Sequence, residues 1–129
     1  MREILFRGKR TDTGKWIIGQ LARYNPLFDV ANMIDEHEML VPVHTKTVGQ
    51  FTELTDKNGA KVFDGDIIII CYETDGEEFS ETKKVHYNKK ECCWYPMRWE
   101  ECCEHCDHYT EIKSIEIIGN IYDNENLLE

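Results

Sequence analysis

The chain has 129 residues, with 25 acids against 15 bases and a formal net charge of −10. That length holds one domain, or two small ones sharing a core, without obligatory staples. The charge disfavours general binding to phosphate backbones, and no stretch approaches the ~20 apolar residues of a membrane span. The opening MREILFRGKR has no long apolar run, so no signal peptide is expected. A reducing cytoplasm is the expected location, where the six cysteines serve as thiols or metal ligands rather than disulfides.

Glu3–Arg10 and Lys15–Leu21 read as strands joined by the turn Thr11-Asp12-Thr13-Gly14. Ile4, Phe6, Trp16 and Ile18 are expected to share in a core. Arg2, Arg7, Lys9, Arg10 and Lys15 cluster here and read as a solvated hairpin face rather than a phosphate site. Asn25-Pro26 breaks the strand. Within Tyr24–Glu38, the positions Val30, Met33 and Ile34 have helical spacing, so a loop with at most one helical turn is expected. Met39–Val43 reads as a short strand, and Pro42 suits an edge or a strand end.

Thr47–Ile70 is the most regular stretch. Val48, Phe51 and Leu54 lie in a β-compatible run. Asp56-Lys57-Asn58-Gly59 follows, with Asn-Gly suited to a hairpin turn. Lys61–Phe63 returns, and Asp64-Gly65-Asp66 turns again, with Gly65 free to take a left-handed conformation. Ile67–Ile70 fits a strand buried on both faces, or nearly so.

Beyond Ile70 the pattern stays β. Tyr72 ends the run, and Thr74–Glu78 reads as a turn or an acidic loop. Thr82–Tyr87 alternates, with Val85 and Tyr87 on one face. Asn88-Lys89-Lys90 turns the chain into a strand at Cys92–Tyr95. Arg98–His108 reads as irregular or as a short helix. Ile112–Tyr122 is a strand, broken or bulged at Gly119. A short tail follows, with Leu127 and Leu128 expected to dock on the body. The predicted class is mostly β with little helix, in an N-terminal β-rich portion (1–63) and a C-terminal small barrel with its tail (64–129).

One cluster could carry metal chemistry. Cys92, Cys93, Cys102, Cys103, His105, Cys106 and His108 fall within 17 residues. A structural zinc site needs four ligands in a tetrahedron. Cys103-x-x-Cys106 has knuckle spacing; Cys92 or Cys93 would supply a third ligand, and His108 or Cys102 a fourth. The candidate set is Cys92, Cys103, Cys106 and His108. Adjacent strand cysteines point to opposite faces, so only one of Cys92 and Cys93 could ligate. Two other readings stand beside zinc: unliganded thiols, one of them packed as a small apolar residue, and redox-sensitive thiols. The acidic flanks Glu100, Glu101, Glu104 and Asp107 would raise a thiol pKa and argue against the last.

Elsewhere the chemistry is sparse. Cys71 reads as core, His86 as solvent-facing, and His37 and His44 as isolated surface residues. Asp64 and Asp66 resemble a carboxylate pair but suit turn formation better, because Asx side chains bond the local backbone. No Ser-His-Asp order or phosphate-binding glycine loop stands out. No catalytic set and no cofactor beyond a structural zinc is expected.

The blocks ILFRGKR…GKWIIG, TVGQFTELTDKNGAKVFDGDIIII and IEIIGNIYDNENLL together resemble the YopX family. The resemblance spans both ends and the middle of the chain. It implies a phage or prophage protein, mostly β, whose C-terminal part forms an SH3-like barrel. It implies no reaction and supplies no catalytic residues. The expected function is a non-enzymatic interaction module that meets a host or phage protein, with homo-oligomerisation open to it. Two alternatives are a zinc-stabilised binding module using the Cys92–His108 loop and a nucleic-acid-binding small barrel.

Overall fold

The computed structural model describes residues 4–90, 92–96 and 110–128. They are almost entirely strand and turn, and no α-helix occurs among them. The chain divides into two compact units, Met1–Glu53 and Leu54–Glu129.

The first unit is an antiparallel meander. Strands β1 (Phe6–Lys9), β2 (Trp16–Arg23), β3 (Val30–Ile34) and β4 (Leu40–His44) follow in order. A single 3-10 turn at Thr45–Thr47 leads to β5 (Gly49–Thr55). β5 returns to pair with β1, giving the order β4-β3-β2-β1-β5. Arg10 bridges Val43, and the Thr11 amide donates to the Pro42 carbonyl at 3.2 Å. The end of β1 therefore reaches β4, and the meander curls back on itself. Pro42 has no N–H to contribute and sits on this end strand, where the loss of a donor is tolerated.

Register decides which side chains the first unit buries. Ala31, Met33, Val41 and Val43 are buried, with Phe6, Ile17, Leu21 and Val48 packed beside that cluster. Two sequence expectations are corrected here. β3 is a strand rather than a loop with a helical turn, and its buried positions are Ala31 and Met33. The helical spacing of Val30, Met33 and Ile34 loses to strand alternation, because β2 and β4 pair with both edges of β3. In β1–β2, Ile17 faces inward while Ile4 and Ile18 are exposed. Period-2 geometry admits only one of two neighbouring isoleucines. The pairing of Gly8 with Ile17 selects that one.

The basic residues of this hairpin are held on its surface. Arg7 and Lys9 both lie over the Trp16 ring, at 4.8 and 5.8 Å from its centroid. Arg10 makes a two-point bond to Asp12, at 2.9 and 2.8 Å. That bond holds the exposed Asp12 carboxyl down to about 2.

The second unit opens in the Asp56 turn. The Asp56 amide donates to the Ala60 carbonyl and Gly59 takes φ +83°. β6 (Lys61–Phe63) leads through Gly65, at φ +93°, into β7 (Asp66–Thr74). β7 is the centre of a three-stranded sheet, flanked by β11 (Thr110–Asn120) and β8 (Glu77–Lys84). Ile67, Ile68 and Ile70 are fully buried, as the unbroken isoleucine run implies. Val62, Ile68, Ile70 and Val85 form the core, with Trp94, Ile112, Ile115 and Ile117 packed against it. The register of β11 shifts between Ile117 and Gly119, so the bulge expected at Gly119 is present.

β9 (His86–Asn88) and β10 (Cys93–Tyr95) form a separate two-stranded hairpin. Val85 and Tyr87 do not share a face: Val85 is fully buried, and Tyr87 is exposed on the hairpin against Trp94. A 3-10 turn at Glu125–Leu128 lies beside β8, and Leu127 and Leu128 stay partly exposed there. The mostly-β class is the observed one. The described ladders of this unit are open sheets, and the curling meander lies in the first unit.

Candidate functional site

One carboxylate of the second turn, that of Asp66, holds the backbone. Asp66 is buried, and its Oδ2 accepts from the Phe63 amide at 2.7 Å. The Gly65 amide donates to the Val85 carbonyl, and the Val85 amide donates to the Asp66 carbonyl. Asp66 thus ties the start of β7 to the chain before and after it, as an Asx turn-former does.

The candidate metal ligands are only partly placed. Cys92 sits in the β9–β10 turn at φ +53°, exposed, with its thiol toward the Lys89 carbonyl at 3.6 Å. Cys93 opens β10 and is half-buried. Cys103, Cys106 and His108 lie outside the described residues, as do Cys102 and His105. Among the described residues, no three Cys, His, Asp or Glu side chains stand close enough to hold an ion. A bound structural zinc would give about one zinc per chain by elemental analysis. It would also give a melting temperature that falls on chelation.

The remaining singled-out residues take surface positions. His37, His44 and His86 are exposed. His86 stacks on Tyr95, its partner across the hairpin, at 5.6 Å. Cys71 is half-buried rather than core. It stands opposite Ser80 on the sheet, one position beyond the fully buried Ile70.

The strongest chemical feature of the second unit is the β7–β8 hairpin, whose turn falls within the Thr74–Glu78 stretch expected to turn. Asp75 and Gly76 both take positive φ, at +53° and +83°. Thr74 pairs with Glu77 directly across them. This is a two-residue hairpin turn, whose twist matches the flanking strands. It gathers Glu73, Asp75, Glu77 and Glu78 at one tip. Glu73 and Glu78 are direct cross-strand partners, and like charges so placed repel. Lys113 lies 3.2 Å from Glu73 and offsets part of that repulsion.

Beside the tip, Cys71, Tyr72, Glu78, Phe79, Ser80 and Lys113 line an open groove of about 260 Å³. Tyr72 and Phe79 stack at 5.7 Å across the strands. The Tyr72 hydroxyl donates to Glu81 at 3.2 Å. Burial, and then the Glu81 charge, push that hydroxyl above its ordinary pKa.

The division of the chain sharpens the charge. Met1–Glu53 carries seven acids and seven bases, and Leu54–Glu129 carries the other eighteen acids and eight bases. The whole net charge of −10 therefore belongs to the second unit.

A family model described as YopX protein matches residues 5–129. The chain belongs to the YopX protein family. The match takes in both units of this YopX family member and bears out the resemblance of its three sequence blocks. No curated protein matches it. No solved structure matches it. Among the described residues, no helix is long and apolar enough to cross a membrane. The acidic hairpin was the feature least visible in sequence. Its one local signal was the turn dipeptide Asp75-Gly76.

Proposed function

We propose that this YopX family protein is a non-enzymatic interaction module of a phage or prophage. Its second unit presents an acidic surface to a basic host or phage protein. The observation that carries this reading is the confinement of the full −10 charge to Leu54–Glu129. A strongly acidic unit in a chain whose other unit is neutral steers a cationic partner to the acidic one. The β7–β8 tip is the natural contact, because Glu73 and Glu78 stand side by side there and Lys113 offsets only part of their repulsion. The exposed Phe79 ring beside Glu78 also suits a cation–π contact with an arginine.

An enzyme is the weaker reading. Asp66 is committed to the backbone of its turn. The groove beside the hairpin is open, and two of its donors, the Tyr72 hydroxyl and the Lys113 ammonium, are already engaged by Glu81 and Glu73. Phosphate backbones would meet the same carboxylates with repulsion.

The test is affinity capture from a bacterial lysate, paired with a Glu77→Lys/Glu78→Lys variant. The expected result is a basic protein that is retained at low salt, released as salt rises, and lost with the variant. An identical capture by the variant, or a captured set with no basic member, overturns the proposal.

A further inference from the structure

Among the described residues, β8 pairs with β7 and with no other strand, so one of its edges is open. The hairpin geometry fixes which backbone groups face that edge. A two-residue turn makes its flanking pair, Thr74 and Glu77, a hydrogen-bonded one. Bonding then recurs at every second residue. The Val85 amide, which donates to the Asp66 carbonyl at 2.8 Å, keeps that phase just beyond the far end. Glu77, Phe79, Glu81 and Lys83 therefore bond β7, while Glu78, Ser80, Thr82 and Lys84 turn their N–H and C=O groups outward. Every residue of β8 except the half-buried Glu81 is exposed.

Natural edge strands are commonly blunted by proline, by a bulge or by charged side chains. β8 has no proline, and its register with β7 runs without a shift. Its charges are of both signs and sorted along the strand. Glu77 and Glu78 stand at the turn end, beside Asp75 and opposite Thr74 and Glu73. Lys83 and Lys84 stand at the other end and stay exposed beside the 3-10 turn at Glu125–Leu128. Glu81 lies between, with its carboxylate 3.7 Å from the Lys83 ammonium.

We infer that the open edge of β8 pairs antiparallel with β8 of a second copy, about a two-fold axis that sets Ser80 against Ser80. An antiparallel ladder matches outward-facing residues with outward-facing ones. Glu78 then meets Thr82, and Glu77 meets Lys83 in both directions. Glu78 lies diagonal to Lys84, within reach of so long a side chain. The other registers fit less well. An axis at Glu81 sets that carboxylate against itself, one at Phe79 sets Glu77 against Glu81, and one at Thr82 brings the buried Val85 opposite Phe79. A two-fold contact requires a self-complementary surface. A strand acidic at one end and basic at the other is one when it runs antiparallel to itself. A wholly basic strand would meet repulsion from Lys83 and Lys84. The net charge of −10 on each copy opposes approach from afar, but it is screened beyond about 8 Å at physiological ionic strength, whereas paired side chains stand about 5 Å apart.

The test is sedimentation of the full chain across a concentration series at physiological ionic strength, with circular dichroism as a check on folding. The wild type is expected to dimerise in a concentration-dependent way. Glu77→Lys/Glu78→Lys and Lys83→Glu/Lys84→Glu each set like charges against one another, and each should weaken the dimer by about tenfold or more. An equimolar mixture of the two variants should associate, because every facing pair is again opposite in sign. Ser80→Pro removes an outward donor without touching the bonds to β7, and should leave a folded monomer. Lys83→Glu/Lys84→Glu keeps the acidic tip, so it should lose the dimer and still capture a basic protein, which separates this inference from the function proposed above. A monomeric wild type throughout the series overturns the inference. So does a mixture no more associated than its components, or a folded Ser80→Pro chain that dimerises like the wild type.

Discussion

Replacing Asp56 by alanine should destabilise the second unit by about 2–4 kcal/mol, since several hydrogen bonds to one charged group are lost together. Asp56 is buried, and Oδ1 accepts from the Asn58 and Ala60 amides at 2.9 Å each. Oδ2 accepts from the Ile117 amide at 3.2 Å, in a strand 61 positions away. One side chain therefore closes a turn and ties that turn to β11 beside its bulge. A backbone bond from the Lys57 amide to the Ile115 carbonyl runs alongside. Alanine leaves three amide donors without that acceptor. Asparagine keeps one oxygen for the turn but turns an N–H toward another N–H, so Asp56→Asn should lose less than alanine and still a substantial part. Urea denaturation with amide exchange at Ile117 reads this directly. An alanine variant that unfolds with the wild type would show that the turn holds without its carboxylate.

The same site sets an acid limb. Burial would by itself raise the Asp56 carboxyl, but the amides of Ala60, Ile117 and Asn58 outweigh it and leave the group below its ordinary value of 3.8. Asp56 thus binds its proton more weakly folded than unfolded. Its contribution is complete above about pH 4 and is lost as pH falls through the lower folded value. In Asp56→Ala that part of the acid dependence should vanish.

The second large effect is expected at Gly19. A Cβ built there meets the Ile34 carbonyl oxygen inside bonding range, with the carbonyl carbon at 3.0 Å and the Asp35 Cα at 3.4 Å. These are backbone atoms of the neighbouring strand, so no rotamer change relieves the clash. Gly19→Ala must push β2 from β3, and β3 carries the buried Ala31 and Met33. A cost of about 3 kcal/mol or more follows for overpacking against fixed backbone. Gly14→Ala is the control. Its site is open and its φ is +73°, so it should cost about 1–2 kcal/mol from conformation alone. Thermal unfolding that ranks the two alike would argue against close β2–β3 contact as the reason for glycine.

How far the sequence could be read depended on whether the signal was local. Asn58-Gly59 and Asp64-Gly65 declare their turns, because positive φ leaves few residue choices. Ile67–Ile70 declares a buried strand, because four β-branched side chains in a row directly after a glycine turn suit a strand better than a helix. β3 was missed because Val30, Met33 and Ile34 match a helical stripe, while its true inward positions are an alanine and one methionine. β8 was missed over its first half because Glu77–Ser80 is exposed, and hydrophobic alternation cannot mark a strand without a buried face. Part of the candidate zinc set, Cys103, Cys106 and His108, lies outside the described residues, so the placement of Cys92 and Cys93 is all that bears on it.

The sequence alone determined the family, the mostly-β class, the main turns and the central isoleucine strand. Each depends on residue identity or on neighbours a few positions apart. Tertiary structure decided which of Ile17 and Ile18 faces water, what Asp56 holds, and that the excess negative charge gathers in one unit. Those outcomes rest on strand register and on contacts between distant segments. A one-residue slip reverses the face, and a bond across 61 positions leaves no local trace.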